Sequence, residues 1–288
     1  MTGTFAPKNK IRSILWGALS RIVWQSRRLF LISHSDLVII PFSIKYQSIM
    51  QKQFFSLLIA LCAFVAVQAQ TADDILAKYF ENTGGITKWN SLASSKMSGT
   101  MSMQGMEFPG TIYAARPNKQ RVEVSVQGKG IVQAYDGTDA WWINPFAGGE
   151  DPQKMPAEMS EEMTKAKFES EFINYKEKGN TVELVGKETI EGTETWQIKL
   201  TKKNGDVELH FFDTEYFVPI MMRTVISSGP MKGQNSEMYF SDYQEVDGMM
   251  FPFFMENKMG GQSVQKITIN AVELNGKYDD AFFAMPKK

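Results

Sequence analysis

The chain has 288 residues, with 31 Lys and Arg against 32 Asp and Glu, and a formal charge of −1. The basic share is concentrated at the start, where Lys8, Lys10, Arg12, Arg21, Arg27, Arg28 and Lys45 are offset only by Asp36. Beyond residue 50 the chain is acidic, which excludes nucleic acid as a partner and electrostatic docking on anionic lipid as a main role.

Within residues 1–49, Ser33-His34-Ser35-Asp36 interrupts the apolar part, so this stretch makes a poor membrane helix. It is expected to be an over-long extension, with the true start at Met50. From there Lys52, an apolar run from Phe54 to Val67 and Val67-Gln68-Ala69 read as a signal peptide over residues 50–69, cut after Ala69. The run is shorter than the ~20 residues a membrane span needs. Cys62 comes after Leu61, where lipoprotein processing requires a small residue, so no lipid attachment is expected there. Residues 70–288 then form a single domain, exported to the periplasm and not integral to the membrane. It has no cysteine, so its stability rests on a core and not on disulfides.

Residues 72–83 predict a helix with Ile75, Leu76, Tyr79 and Phe80 on one face, Asp73 and Asp74 in its first turn, and Gly84-Gly85 as its stop. Trp89 and Leu92 continue as a short helical turn. Met97, Gly99, Met101 and Met103 alternate with polar residues and open a sheet. Met106 to Pro145 reads as four short strands: Phe108, Ile112 and Ala114 share one face, as do Val122, Val124 and Val126. Arg116-Pro117-Asn118-Lys119, Gln127-Gly128-Lys129-Gly130 and Asp136-Gly137 supply the reversals between them. Residues 146–156 are rich in Gly and Pro and read as irregular. A second helix is expected from Glu158 to Tyr175, with a broad apolar face that includes Met159, Met163, Phe168, Phe172 and Ile173. Strands return around Trp196–Leu200, Val207–Phe211, Pro219–Val225, Glu237–Glu245, Met249–Lys258 and Val264–Leu274, with Asp247-Gly248 as a hairpin turn.

Laid side by side, about eleven such strands would span ~50 Å, while each of the two helices covers only ~10 Å. The sheet must therefore curl, and its concave face must either close on its own side chains or enclose an apolar space. Of the 18 methionines, 16 lie beyond residue 69, and they suit such a space because a flexible thioether adapts to irregular apolar partners. They suit an ordinary core equally well.

Catalytic signals are thin. His210 is the single histidine after residue 69; it alternates with Leu209 and Phe211 and is expected to face solvent. One histidine and no cysteine make no ordinary zinc site, and no cofactor is implied. No nucleophile elbow, phosphate loop or dinucleotide fingerprint occurs. The carboxylate pairs Asp136/Asp139 and Asp279/Asp280 sit in turns, where a structural role is the rule. No enzyme is expected. Arg116 comes after Tyr113-Ala114-Ala115 and precedes a proline. Its guanidinium either folds back over the mouth of the sheet onto loop carbonyls or is a solvated turn arginine.

The order and spacing of these features resemble the outer-membrane lipoprotein carrier superfamily. The matching residues are the helix with Ile75-Leu76 and Tyr79, Arg116-Pro117-Asn118-Lys119-Gln120-Arg121, and Tyr135-Asp136-Gly137 leading to Trp141 and Pro145. Phe212-Asp213-Thr214, Asp242-Tyr243, Asp247-Gly248 and Phe251-Pro252 extend the match over most of residues 72–286. The resemblance implies a mainly β fold, an open antiparallel half-barrel with helices in its concave face. Its apolar cavity would shield lipoprotein acyl chains or other lipid. Candidate lining residues are Met101, Met103, Phe108, Ile112, Val124, Trp141, Trp142, Trp196, Ile198 and Phe211, with Arg116 closing the cavity. The helix expected from Glu158 to Tyr175 would be the lid. A second reading keeps the fold but makes the protein an envelope sensor or scaffold that binds a protein partner; a third, an envelope hydrolase, has no motif behind it.

Overall fold

The computed structural model describes residues 70–287 except 166 and 228–230; the extension expected over 1–49 and the signal peptide expected over 50–69 lie outside the described residues. Helix α1 (Ala72–Asn82) starts at Thr71, whose hydroxyl accepts the Asp74 amide at 3.1 Å while Asp74 accepts the Thr71 amide at 3.0 Å. This reciprocal cap, with Asp73 and Asp74 at the positive end of the helix dipole, fixes where the helix begins. Ile75, Leu76, Tyr79 and Phe80 are buried on one side. Helix α2 (Ile86–Ser91) comes next, and its Trp89 donates Nε1–H to Thr83 Oγ1 at 3.0 Å.

Thirteen strands form one sheet. They are β1 (Ser94–Met103), β2 (Met106–Ala115), β3 (Lys119–Val126), β4 (Lys129–Tyr135), β5 (Ala140–Asn144), β6 (Gly149–Lys154), β7 (Thr181–Ile190), β8 (Thr193–Thr201), β9 (Val207–Asp213), β10 (Pro219–Val225), β11 (Asn235–Val246), β12 (Met249–Met259) and β13 (Gln262–Leu274). Helix α3 (Ala157–Lys165) lies between β6 and β7, and α4 (Asp280–Phe283) comes last. The order across the sheet is β6-β5-β4-β3-β2-β1-β13-β12-β11-β10-β9-β8-β7. Each strand pairs antiparallel with its sequence neighbour, with two exceptions: β1 meets β13 in a long-range seam, and β6 and β7 are the two free edges. The sheet is therefore open, an antiparallel half-barrel whose edges are joined in sequence by residues 155–180.

The inner face carries α1 and α2. On it Ile198, Leu200 and Phe212 pack with Ile75, Leu76, Tyr79, Phe80, Phe172 and Ile173. Beside them Phe251, Phe253, Met249 and Ile269 pack with Leu92, Trp89 and Phe168. Burial of each such side chain is favourable by about 1.5–3 kcal/mol. Gly84 seats the end of α1 against the β11–β12 turn: its φ is +112°, and a Cβ there would lie 2.5 Å from the Gly248 carbonyl oxygen. The outer face has a small core of Ile190, Phe211 and Met221, and Arg223 bonds Glu237 at 2.7 Å beside it.

Several expectations are corrected. The strands number thirteen, not about eleven. Residues 149–154 form an edge strand, where Pro152 breaks no ladder because one side of β6 is unpaired. β7 has no counterpart among the expected strands; a bulge between Leu184 and Gly186 interrupts its alternation. The helix expected from Glu158 to Tyr175 ends at Lys165. The Phe168 amide turns away to donate to Asn118 Oδ1 at 3.1 Å, and Asn174 takes φ +49°, so the chain proceeds through turns while Phe172 and Ile173 still reach the core.

Candidate functional site

Strand pairing gathers methionines on the inner face of β10–β12. Met222 lies opposite Met238, Met238 opposite Asn257, and Ser236 opposite Met259. These residues, with Met231, floor a cleft of about 1430 Å³. One wall is residues 164–165 and 167–180 and the other is the β8–β9 hairpin around Lys202 to Glu208. Val207 and Val225 border the mouth and are 43% and 63% exposed, so the cleft opens to solvent through apolar residues.

The covering segment, residues 167–180, is held at three places. Tyr175 Oη donates to Asp73 Oδ1 at 2.6 Å and Lys176 Nζ to Asp73 Oδ2 at 3.0 Å, which keeps the Asp73 carboxyl below the usual range through the tyrosine bond first and the lysine next. Asn180 accepts the Lys203 amide at 3.0 Å and donates to Glu171 Oε2 at 3.1 Å, tying the segment to the β8–β9 hairpin. Arg116 makes the third hold. Its Nε donates to the Leu92 carbonyl at 2.8 Å and its Nη2 to the Trp89 carbonyl at 3.2 Å, while Nη1 meets Glu169 Oε2 at 2.5 Å. The guanidinium also lies over the Phe168 ring, 5.7 Å from its centroid. Arg116 is thus no solvated turn residue: it joins the carbonyls at the end of α2 to the covering segment. Burial pushes the Glu169 carboxyl up, but hydrogen bonds from Arg116 and Lys178 outweigh it and the group lies below its usual range.

His210 is not turned to solvent. Its ring packs edge-on against Phe172 at 4.7 Å on the inner face, and its Nε2 lies 3.0 Å from Glu208 Oε2. The expected alternation holds there with its two faces exchanged, since Phe212 and not Phe211 meets α1. Glu208 also pairs with Lys202 at 2.6 Å. Burial opposes its charge, yet the bonds from His210 and Lys202 hold its carboxyl down to about 2.

Of the candidate lining residues, eight share the inner face. Trp196 and Ile198 lie in the core beneath α1 and residues 172–173. Met101 pairs with Phe108, Ile112 with Val122, Gly110 with Val124 and Gln133 with Trp142, which carries the same face across β1–β5. There Met101 is buried, Met103 is 48% exposed at the strand end, and the others are half-buried. Trp141 and Phe211 do not join them. Trp141 is on the outer face, buried with its Nε1–H donated to the Phe283 carbonyl at 2.7 Å, and Phe211 is in the outer core with Met221. Paired residues Trp141 and Trp142 necessarily point to opposite sides of a strand. Arg116 is the one sequence candidate that borders the methionine-floored cleft. Met222, Met238 and Met259 are absent from the sequence candidates; their signal is alternation in β10–β12 together with the methionine excess.

Among the described residues no three His, Cys, Asp or Glu side chains group so as to hold a metal ion. No helix among them is long and apolar enough to cross a membrane. The cleft sets a methionine-rich floor beside a charged border.

No family model matches the sequence, and neither does any curated protein. Solved structures do match. A LolA superfamily protein from Nitrosomonas europaea is 14% identical and superposes with a TM-score of 0.50, covering 74% of this chain and 98% of that one. A DUF1329 family protein from Desulfovibrio piger is 13% identical with a TM-score of 0.49, covering 73% and 97%. At 14% identity the likeness to the Nitrosomonas europaea protein speaks to architecture alone, and it agrees with the open sheet and its inner helices: this chain has a LolA-like fold.

Proposed function

We propose that the protein is a periplasmic carrier that shields the acyl chains of lipids or lipoproteins on the inner face of its half-barrel, exported on the signal peptide expected over residues 50–69. The observation that carries this reading is the cleft of about 1430 Å³ floored by Met222, Met231, Met238 and Met259. Thioethers on flexible stems follow the shape of a chain with many conformers. Moving a chain out of water is favourable by about 0.8 kcal/mol per CH₂, so about ten methylenes supply about 8 kcal/mol before ordering costs. Residues 167–180 cover the cleft, and Arg116 is the closing residue because it links them to the end of α2. The inner-face group Met101, Met103, Phe108, Ile112, Val124 and Trp142 offers a second apolar strip for a longer or additional chain. The carrier role involves no catalytic step.

Purification from the cell envelope followed by denaturing extraction and lipid mass spectrometry tests it. Acylated material near one equivalent per chain is expected. Lipid-free protein that instead copurifies with a stoichiometric protein partner would replace the carrier with a scaffold of the same fold.

A further inference from the structure

The border of the cleft is not neutral. Among the described residues it is lined by the cations Arg116, Lys167, Lys178, Lys202 and Lys203 and by the carboxylates Glu169, Glu171, Asp206 and Glu208. The carboxylates are already engaged. Glu169 binds Arg116 and Lys178, Glu171 accepts from Asn180, Glu208 pairs with Lys202 and lies against His210, and Asp206 accepts from Asn204. Among the described residues, by contrast, no carboxylate lies within 4.0 Å of the ammonium of Lys167 or Lys203. Lys167 Nζ donates one N–H to the Thr164 carbonyl at 3.2 Å. The stem of Lys203 passes close over Gly179, where a Cβ would lie 3.2 Å from its Cδ. Its amide is fixed on Asn180, so the root of this side chain is held at the cleft wall.

An apolar floor and uncompensated cations at the border of one cleft are complementary to one kind of ligand, a chain with a negative end. We infer that the cleft selects acyl amphiphiles with an anionic head group, the chain lying on the methionines and the head meeting Lys167 and Lys203. This rests on the proposed acyl binding and narrows its substrate class. The selectivity is local, since the sequence beyond residue 69 is acidic as a whole and would repel an anion elsewhere. It is also short-ranged, because the ammonium groups are solvated at the border.

The test uses delipidated protein and two probes with the same acyl chain, lysophosphatidylglycerol and lysophosphatidylcholine, below their micelle concentrations. Wild type is expected to bind the anionic probe about fivefold more tightly, the preference fading in about 0.5 M NaCl. In the K167Q/K203Q double variant the preference falls below about twofold, chiefly through weaker binding of the anionic probe. Equal affinity for both probes in wild type overturns the head-group assignment and leaves the acyl cavity standing. A preference that survives in the double variant places the head elsewhere and also overturns it. Binding of neither probe removes the cavity reading and this inference together.

Discussion

Arg116 shows what one side chain can hold. Its donors reach two main-chain carbonyls and one carboxylate on a different segment, so its loss removes a charged donor from both parts and leaves Glu169 to Lys178 alone. Hydrogen bonds to a charged group are worth about 1.5–3 kcal/mol, and the guanidinium is about one-third exposed, which favours the lower end. Arg116→Leu is expected to lower unfolding stability by about 2 kcal/mol and to speed amide exchange in residues 167–180 well before the rest of the sheet. Exchange that rises equally everywhere would deny it a specific role as a clasp. Glu208 makes a pH prediction. Its folded carboxyl titrates near 2, below an ordinary value near 4.5, so its stabilising contribution is complete above the unfolded value and is lost as pH falls toward 2. At neutral pH that contribution is of the order of 3 kcal/mol. Urea midpoints of wild type and Glu208→Gln should be widely separated at about pH 7 and converge by about pH 2; a constant gap would contradict the linkage.

At the scale of elements, helix-end charge and alternation were legible and tertiary demands were not. The acidic first turn at Asp73 and Asp74 and the apolar side of α1 are local signals, and the helix obeys them. The reversals at Arg116–Lys119, Gln127–Gly130 and Asp136-Gly137 carry turn residues and fall between strands as read. Beyond Lys165, in contrast, Phe172 and Ile173 continue the helical spacing but serve a loop, because Asn118 captures the Phe168 amide from a distant part of the chain. Nothing in the local sequence announces that partner. The same holds for faces: Trp141 and Phe211 are large and apolar like their neighbours Trp142 and Phe212, and only the packing of α4 and α1 decides which member of each pair is outside. A list of lining residues drawn from hydrophobicity thus takes in both sides of a strand.

At the scale of the molecule, the width of the sheet was legible because it comes from counting strands against helices. The seam was not, because β1 and β13 are held together by backbone fit. Gly99 sits at a bulge there, and a Cβ would lie 2.0 Å from the Thr268 carbonyl oxygen and 2.9 Å from Ile269 Cα. Gly99→Ala is expected to cost about 3 kcal/mol and, because the seam is the sheet's one pairing between the chain ends, to slow refolding as well. Chevron measurements check both; a change confined to unfolding would mean that the seam forms after the barrier.

The stretch that links β6 to β7 runs from one rim of the trough to the other, and its second half also roofs the methionine bed. On the proposed acyl-binding role it is expected to act as a string does on a bow, so that loading the cleft and splaying the sheet are one motion and not two. Severing the string by limited proteolysis within residues 157–165 should leave the β signal in circular dichroism intact and quicken escape of a bound acyl probe. Unaltered escape from the nicked protein would uncouple the two.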